Sequence, residues 1–294
     1  MSTIINVPQQ TGIQRVSSFL NSESVKKKFT ELLGKKAQGF VASVLSVCNS
    51  NDLLKNATTE SIYSAALTAA TLDLPINANL GFAYIIPYKG REATLAQFQV
   101  GYKGFIQLAQ RSGQFKTIAC TPIYEGQIVS ENPLTGYEFD FNIKSNTVIG
   151  YAAFIALLNG FEKTIYWTKE KVERHAKRFS QSYKGGYGIW KDDFDSMALK
   201  TVIKDILSKW SPLSIEMQRA IITDQAVLDE NQEPTYTDND VHIIAIDHEL
   251  DRATQLLESC KTLIELDEVF AKMESSDLRK DIVNVYEKCK ENLK

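Results

Sequence analysis

The spacing of apolar residues changes along the chain, and each change predicts a different kind of structure. In the first part, Val25, Phe29 and Leu33 recur at intervals of four, which predicts a helix. Two further apolar segments, 39–50 and 61–72, have helical length and few breakers. The chain is therefore predicted to be mainly helical between about 25 and 72, after a polar, loose N-terminal arm over 1–21.

Alternation of apolar and polar residues begins near position 82 and predicts strands. Segments 82–88 and 94–100 flank the sequence Lys-Gly-Arg-Glu, which is typical of a β-hairpin with a basic tip. A helix is expected over 101–110, immediately after the hairpin. Four more strands are predicted, over 115–124, 137–144, 150–158 and 161–168.

Helical spacing returns after Thr168, which we expect to cap a charged helix over 169–179. A loop rich in glycine and tyrosine is predicted over 180–190, and a long helix over 192–210. Pro212 starts a further short helix. Helices and antiparallel strands therefore occur in separate blocks, which predicts the α+β class.

Composition divides the chain into parts. Residues 1–225 hold 25 basic and 19 acidic residues, whereas 226–294 hold 8 basic and 17 acidic residues, within a net charge of −3. A mildly basic body suits a polyanionic partner, and an acidic appendage suits a protein partner. We predict four parts: an N-terminal arm (1–21), a core (22–226), an acidic linker (227–247) and a small C-terminal helical module (248–294).

Several function classes lack their sequence signals. No phosphate-binding loop of the GxxxxGK[ST] type and no GxGxxG motif occur, so nucleotide cofactors are not expected. No apolar stretch is long enough to span a membrane, no secretory signal is visible, and four widely spaced cysteines suggest reduced thiols. His175 is interpreted as a solvated residue. We predict no catalytic residues, no metal and no cofactor; a nuclease that uses Glu125 and Asp140 as metal ligands is a minor alternative.

Basic residues instead interleave with aromatic residues and glycines. Cations follow a phosphate backbone, and aromatic faces can stack on bases without reading their sequence. On the long helix, Lys200 and Lys204 are one turn apart, and we expect both to face solvent or a ligand. The candidate DNA-binding residues are Lys89, Arg91, Tyr102, Lys103, Arg111, Lys116, Arg174, Lys177, Arg178, Lys184, Trp190, Lys191, Lys200, Lys204 and Lys209.

Several motifs together resemble the RecT family of phage and prophage single-strand annealing proteins. They are the stretch from Ser64 to Ile118 around the hairpin, Tyr-Glu-Gly at 124–126, and the segments MALKTVIK and KWSPLS at 197–204 and 209–214. The resemblance covers about residues 20–225. Two positions depart from the family pattern: Gln127 stands where an acidic residue is common, and Asp205 lies in a stretch that tends to be basic.

The resemblance implies a curved antiparallel sheet with a hairpin and packed helices, similar to the Redβ annealing protein. It also implies ATP-independent binding of single-stranded DNA, pairing with a complementary strand through an annealed duplex intermediate, and assembly into a ring or helical filament. A phage exonuclease and the host single-strand binding protein are the implied partners, in the cytoplasm of a bacterial host. The alternative function is a protector that coats single-stranded DNA without pairing it.

Overall fold

The computed structural model describes residues 12–89, 93–186, 188–228, 234–235, 256–257, 260, 262–271 and 276–292. The chain forms two compact units, Met1–Asp238 and Asn239–Lys294. The boundary between them lies within the stretch 227–247, whose role as a linker stays a prediction. Among the described residues, no helix has the length and apolar character required to cross a membrane.

The first unit opens with helices: α1 (Gly12–Leu20), α2 (Glu23–Leu33), α3 (Ala37–Ser50), α4 (Asp52–Lys55) and α5 (Thr59–Thr71). The prediction of a loose N-terminal arm is wrong for α1. Its side chains Val16 and Leu20 are buried in the main core, since they recur on one face of the helix. Residues 1–11 of the predicted arm lie outside the described residues.

The predicted hairpin is present and rests on the N-terminal helices. Strands β1 (Ala83–Lys89) and β2 (Thr94–Val100) pair antiparallel, from Ala83 opposite Val100 to Lys89 opposite Thr94. The Ser61 hydroxyl accepts from the Ala96 amide, which fixes β2 against α5. Helix α6 (Tyr102–Arg111) follows the hairpin directly.

A three-stranded antiparallel sheet forms the centre of the first unit, in the order β3–β6–β7. Its strands are β3 (Phe115–Tyr124), β6 (Val148–Leu157) and β7 (Glu162–Thr168). A separate hairpin, β4 (Ile128–Asn132) with β5 (Gly136–Phe139), stands between β3 and β6 in the chain. Strand β4 was not predicted, and the strand predicted over 137–144 ends at Phe139.

That early end has a local cause. The Asp140 carboxylate accepts hydrogen bonds from the backbone and side-chain nitrogens of Asn142, so the chain turns instead of extending. A tilted contact between Tyr137 of β5 and Tyr166 of β7 then packs the hairpin against the sheet.

Among the described residues of the first unit, five helices follow the sheet: α7 (Lys169–Phe179), α8 (Gln181–Lys184), α9 (Ile189–Asp192), α10 (Phe194–Trp210) and α11 (Ile215–Thr223). Thr168 caps α7 as predicted, since its hydroxyl accepts from the Lys171 amide. The segment predicted as a loop, 180–190, contains the short helix α8 and the start of α9. Helix α10 buries Val202, Ile203 and Ile206 in the core shared with the sheet.

Short strands β8 (Val227–Leu228) and β9 (Pro234–Thr235) pair antiparallel inside the predicted linker; 229–233 and 236–247 lie outside the described residues. In the second unit, α12 (Leu263–Ala271) and α13 (Ser276–Asn292) are helical. Leu257, Leu266 and Ile282 form a small core of their own.

The mixture of helices and antiparallel sheets confirms the α+β class. The curvature of the sheet and a likeness to the Redβ protein stay predictions.

Candidate nucleic-acid interface

The start of α6 is built on close contact between backbones. The Gly101 amide donates to the Phe82 carbonyl at 2.8 Å. A Cβ atom on Gly101 would lie 2.1 Å from the Gly81 oxygen, and one on Gly104 would lie 2.2 Å from the Phe82 oxygen. These glycines therefore allow α6 to pack on the chain before β1.

Three of the side chains beside this contact are polar or charged and lie close to the start of α10. Burial, followed by the Asp193 carboxylate and the Tyr102 phenol, raises the pKa of Tyr84. Burial, followed by Cys120 and Asp193, raises the pKa of Tyr102. Lys103 is exposed, with its Nζ 5.9 Å from the centre of the Tyr102 ring. The first turn of α6 thus presents a cation and a half-buried phenol next to the start of α10.

The segment from α7 to α9 carries a local excess of basic charge. Residues 169–192 hold seven basic and three acidic residues. Lys177, Lys184 and Lys191 are exposed on three successive short helices, whereas Arg174 and Arg178 are half-buried. We call this segment, 169–192, the basic segment.

An aromatic cluster supports the basic segment from inside. Trp190 packs against Tyr183 and Phe194, with ring centres 5.8 and 5.4 Å apart. Trp190 is buried, so the expectation that its ring could meet a base is wrong for this conformation. Tyr151 contacts Phe194 and donates to the Asp195 carboxylate, which ties the cluster to the sheet and to α10.

His175 does not behave as a solvated residue. Its ring lies 4.5 Å from the Phe179 ring and 5.6 Å from the Trp167 ring, measured between centres. The histidine is therefore part of the packing between α7 and β7.

The two lysines of α10 are placed differently from the sequence expectation. Lys200 is buried, and its Nζ lies 2.8 Å from Oδ1 of Asp224. Lys204 is half-buried, with its Nζ 2.9 Å from Oδ2 of the same carboxylate. The prediction that both lysines face solvent or a ligand is wrong for Lys200, because its ammonium group is held inside the protein by a buried counter-ion.

Lys200, Lys204 and Asp224 form a charged triad, and the burial of this triad determines its electrostatics. Burial lowers the pKa of Lys200, and the Asp224 charge opposes that effect. For Asp224, burial alone would raise the pKa, but the attraction of Lys200 and Lys204 outweighs it and the pKa is lowered. The carboxylate also accepts from the Val100 amide at 3.0 Å, so the triad joins α10, the end of α11 and the end of β2.

The remaining candidates are dispersed. Arg111 donates to the Leu72 carbonyl and lies 4.0 Å from Asp73, so it fastens α6 to the end of α5. Lys116 is exposed at an irregularity of β3. Lys89 ends β1, but its side chain lies outside the described part of the structure, as does the whole of Arg91.

A contact at the end of α10 was not predicted. Lys163 of β7 places its Nζ 4.6 Å from the centre of the Trp210 ring. One turn earlier, Asp205 pairs with Lys209 at 2.7 Å and accepts from the Trp167 indole at 3.2 Å. No sequence pattern joins β7 to the last turn of α10, so only the fold reveals this group.

The two departures from the family pattern have structural uses. Gln127 is buried; its Oε1 accepts from the Tyr124 amide and its Nε2 donates to the Ile143 carbonyl. A carboxylate could not donate the second bond. Asp205 bridges α10 to β7 through Trp167.

The carboxylates of the nuclease alternative gain no support. Glu125 is exposed, and the Asp140 carboxylate accepts a hydrogen bond from the Asn142 amide within its local turn. Among the described residues, no group of three or more His, Cys, Asp or Glu side chains is arranged to hold a metal ion.

The first unit is thus an α+β body with exposed cations on neighbouring short helices, an arrangement typical of proteins that bind polyanions. Comparison with known proteins identifies the family to which this body belongs. The RecT family model matches residues 38–238, and the chain belongs to the RecT family.

Two relatives extend the comparison. "Uncharacterized protein YqaK" of Bacillus subtilis (strain 168) is 54% identical over 219 residues, 74% of each chain. "Protein RecT" of Escherichia coli (strain K12) is 28% identical over 225 residues, which cover 71% of this chain and 80% of the relative. Family membership connects the chain to DNA recombination and annealing.

Proposed function

We propose that this protein binds single-stranded DNA without sequence preference and anneals it to a complementary strand without ATP. The observation that carries the proposal is the family match over 38–238, which spans the hairpin, the three-stranded sheet and the basic segment. RecT-family proteins are annealing proteins rather than catalysts in the usual sense. The phage-type recombination context of the family gives this activity its biological setting.

The basic segment supports the DNA-binding part of the proposal. Exposed Lys177, Lys184 and Lys191, together with Lys103 at the start of α6, supply mobile cations for phosphate groups. Four of the other candidates have a supporting role: Arg111, Lys200, Lys204 and Trp190 stabilise the body on which these cations stand. Contacts of this type hold a strand without reading its bases.

Annealing needs no nucleotide hydrolysis on energetic grounds. Stacking in the product duplex supplies about 1.4 kcal/mol per base-pair step. The protein has to collect two strands and offset the repulsion between their phosphates. We propose that protomers assemble side by side on the strand, in a ring or helical filament. A phage exonuclease and the host single-strand binding protein are the proposed protein partners.

The test is to mix two complementary labelled oligonucleotides with the purified protein, without ATP and without magnesium. Pairing faster than the spontaneous rate supports annealing. Protection from a nuclease without faster pairing would instead identify a coating protein, which is the alternative function. Shortened products on addition of magnesium would identify a nuclease. Mass photometry on a long oligonucleotide tests the assembly, and a strictly monomeric complex would contradict it.

A further inference from the structure

Trp210 differs from the other two tryptophans in its exposure to solvent. It is 44% exposed, whereas Trp167 and Trp190 are 7% and 6% exposed. The residue ends α10, and the next residue, Ser211, fixes the end of the helix through its backbone and side-chain bonds to the Leu207 carbonyl. A large aromatic side chain is therefore held on a rigid helix end and remains open to solvent.

Cations accompany the exposed ring. Lys163 on β7 lies with its Nζ 4.6 Å from the centre of the Trp210 ring, a cation–π contact. Lys209, the preceding residue, is held by Asp205 at 2.7 Å, and that carboxylate is fixed in turn by the Trp167 indole. An ammonium group has three donors, so each lysine keeps donors for a further acceptor. The Trp210 site is the name used below for Trp210 with Lys163 and Lys209.

This combination matches the two chemical parts of a nucleotide. Lys163 lies over one face of the exposed indole, so a base would stack on the opposite face, and the neighbouring ammonium groups can meet the phosphates on either side of that base. Tryptophan itself is enriched at protein interfaces, but lysine is depleted there, so a tryptophan accompanied by two lysines fits a protein partner less well. The cations beside the ring thus favour a nucleic acid over a second polypeptide.

We propose that the Trp210 site is a base-stacking site for single-stranded DNA. The proposal rests on the proposed function and adds a specific stacking residue to it. Since stacking does not distinguish among bases, the site increases affinity without creating sequence preference. It requires bases on the strand, in contrast to a purely electrostatic contact, which requires only phosphates.

That requirement gives the test. Affinity is measured by fluorescence anisotropy for two labelled oligonucleotides of equal length, one of thymidines and one with an abasic phosphodiester chain, on the wild type and on Trp210→Ala. The wild type should bind the thymidine strand more tightly, and Trp210→Ala should lose roughly 5- to 150-fold of affinity for that strand. Its affinity for the abasic strand should stay close to the wild-type value. Leu53→Ala, which truncates another exposed apolar side chain, should change neither affinity.

A second measurement uses the wild type and does not depend on the folding of a variant. Because the other two tryptophans are buried, iodide should quench mainly the Trp210 emission, and a thymidine strand should protect that emission while the abasic strand should not. Trp210→Phe, which keeps an aromatic face, should retain part of the preference for bases.

The outcomes separate this inference from the proposed function. If the wild type binds neither strand, the proposed function fails, and this inference fails with it. If the wild type binds but Trp210→Ala and wild type have equal affinity for the thymidine strand, only the stacking site is overturned. If a higher protein concentration without DNA protects Trp210 from iodide, the ring lies in a contact between copies of the protein. That result would also overturn the stacking site.

Discussion

Lys200 and Asp224 form an ion pair that is almost closed to solvent: Nζ lies 2.8 Å from Oδ1, and the side chains are 7% and 0% exposed. The carboxylate binds Lys204 and the Val100 amide as well. Three elements distant in the chain meet at this one group. We infer that the triad fixes the end of the hairpin to the long helix, so its loss acts on stability before it acts on DNA binding.

Asp224→Asn should therefore lower the free energy of unfolding by about 3–5 kcal/mol, because it leaves two ammonium groups without their counter-ion. Urea denaturation followed by circular dichroism measures the change. Lys209→Ala is the matched control; it breaks an ion pair with Asp205 that is more exposed than the Lys200–Asp224 pair, and it should cost about 1 kcal/mol. Equal effects of the two substitutions would show that burial of the triad has no energetic consequence.

The same pair predicts a dependence of stability on pH. The lowered pKa of Asp224 means that its carboxylate form stabilises the folded state above the ordinary pKa of 3.8, and that this contribution is lost as the pH falls through the folded-state value. The stability difference between wild type and Asp224→Asn should shrink from pH 7 to pH 3. Urea titrations at several pH values measure it; a constant difference across that range would contradict the prediction.

The helices and strands were largely predictable because their signals are local. Thr168 and Ser214 accept the hydrogen bonds that begin α7 and α11, and the alternation over 94–100 correctly predicts a strand, although residues 96–100 are buried on both faces. The burial of Lys200 had no such signal, since its partner lies 24 residues further on. Helix α1 was missed although Ile13, Val16 and Leu20 recur at helical spacing, so the local signal that could have predicted it was present in the sequence.

The residues of the candidate site show the same difference between local signals and partners that are distant in the chain. Exposed lysines of the basic segment could be found from composition, because charge density needs no tertiary information. The Lys163–Trp210 contact could not, since it joins a strand to a helix end 47 residues away. Trp190 is an error of the opposite kind: its position beside lysines suggested a DNA-binding residue, but its side chain is part of the core.

The basic segment can be tested by charge removal. Lys177→Ala, Lys184→Ala and Lys191→Ala combined should weaken binding to single-stranded DNA and lower the slope of log affinity against log salt by about 2, since each phosphate contact contributes about 0.7. Anisotropy titrations between about 50 and 200 mM salt measure the slope.

The matched control for that triple variant removes Lys26, Lys27 and Lys28, which are equally exposed on α2 and lie outside the family match. It lowers the net charge by the same amount. A slope change of equal size in the control would mean that overall charge, and not the basic segment, controls binding.

Replacement of glycine by alanine should have opposite effects at Gly104 and at Gly39. Gly104 lies where α6 contacts the chain before β1, whereas Gly39 lies in open space on α3. Gly104→Ala places a methyl group 2.2 Å from the Phe82 oxygen and should destabilise the protein by more than about 1 kcal/mol. Gly39→Ala, on the exposed side of α3 with open space around it, should stabilise by roughly 0.5–1 kcal/mol. Thermal and urea unfolding measure both. Similar midpoints for the two variants would remove the packing explanation for Gly104.

The acidic C-terminal part offers the last prediction. Residues 226–294 carry 17 acidic against 8 basic residues, a charge that repels phosphate and suits recruitment of a protein partner. The pairing of β8 with β9 places the appropriate truncation after Asp238 and not near Asp229, since an earlier end would remove β9.

The shortened protein should anneal oligonucleotides at the wild-type rate, because the family match ends at residue 238, but it should lose stimulation by a partner protein. Annealing assays with and without an exonuclease or a single-strand binding protein measure the two effects. Loss of DNA binding on truncation, or loss of cooperative unfolding, would instead assign residues 239–294 to the stability of the first unit.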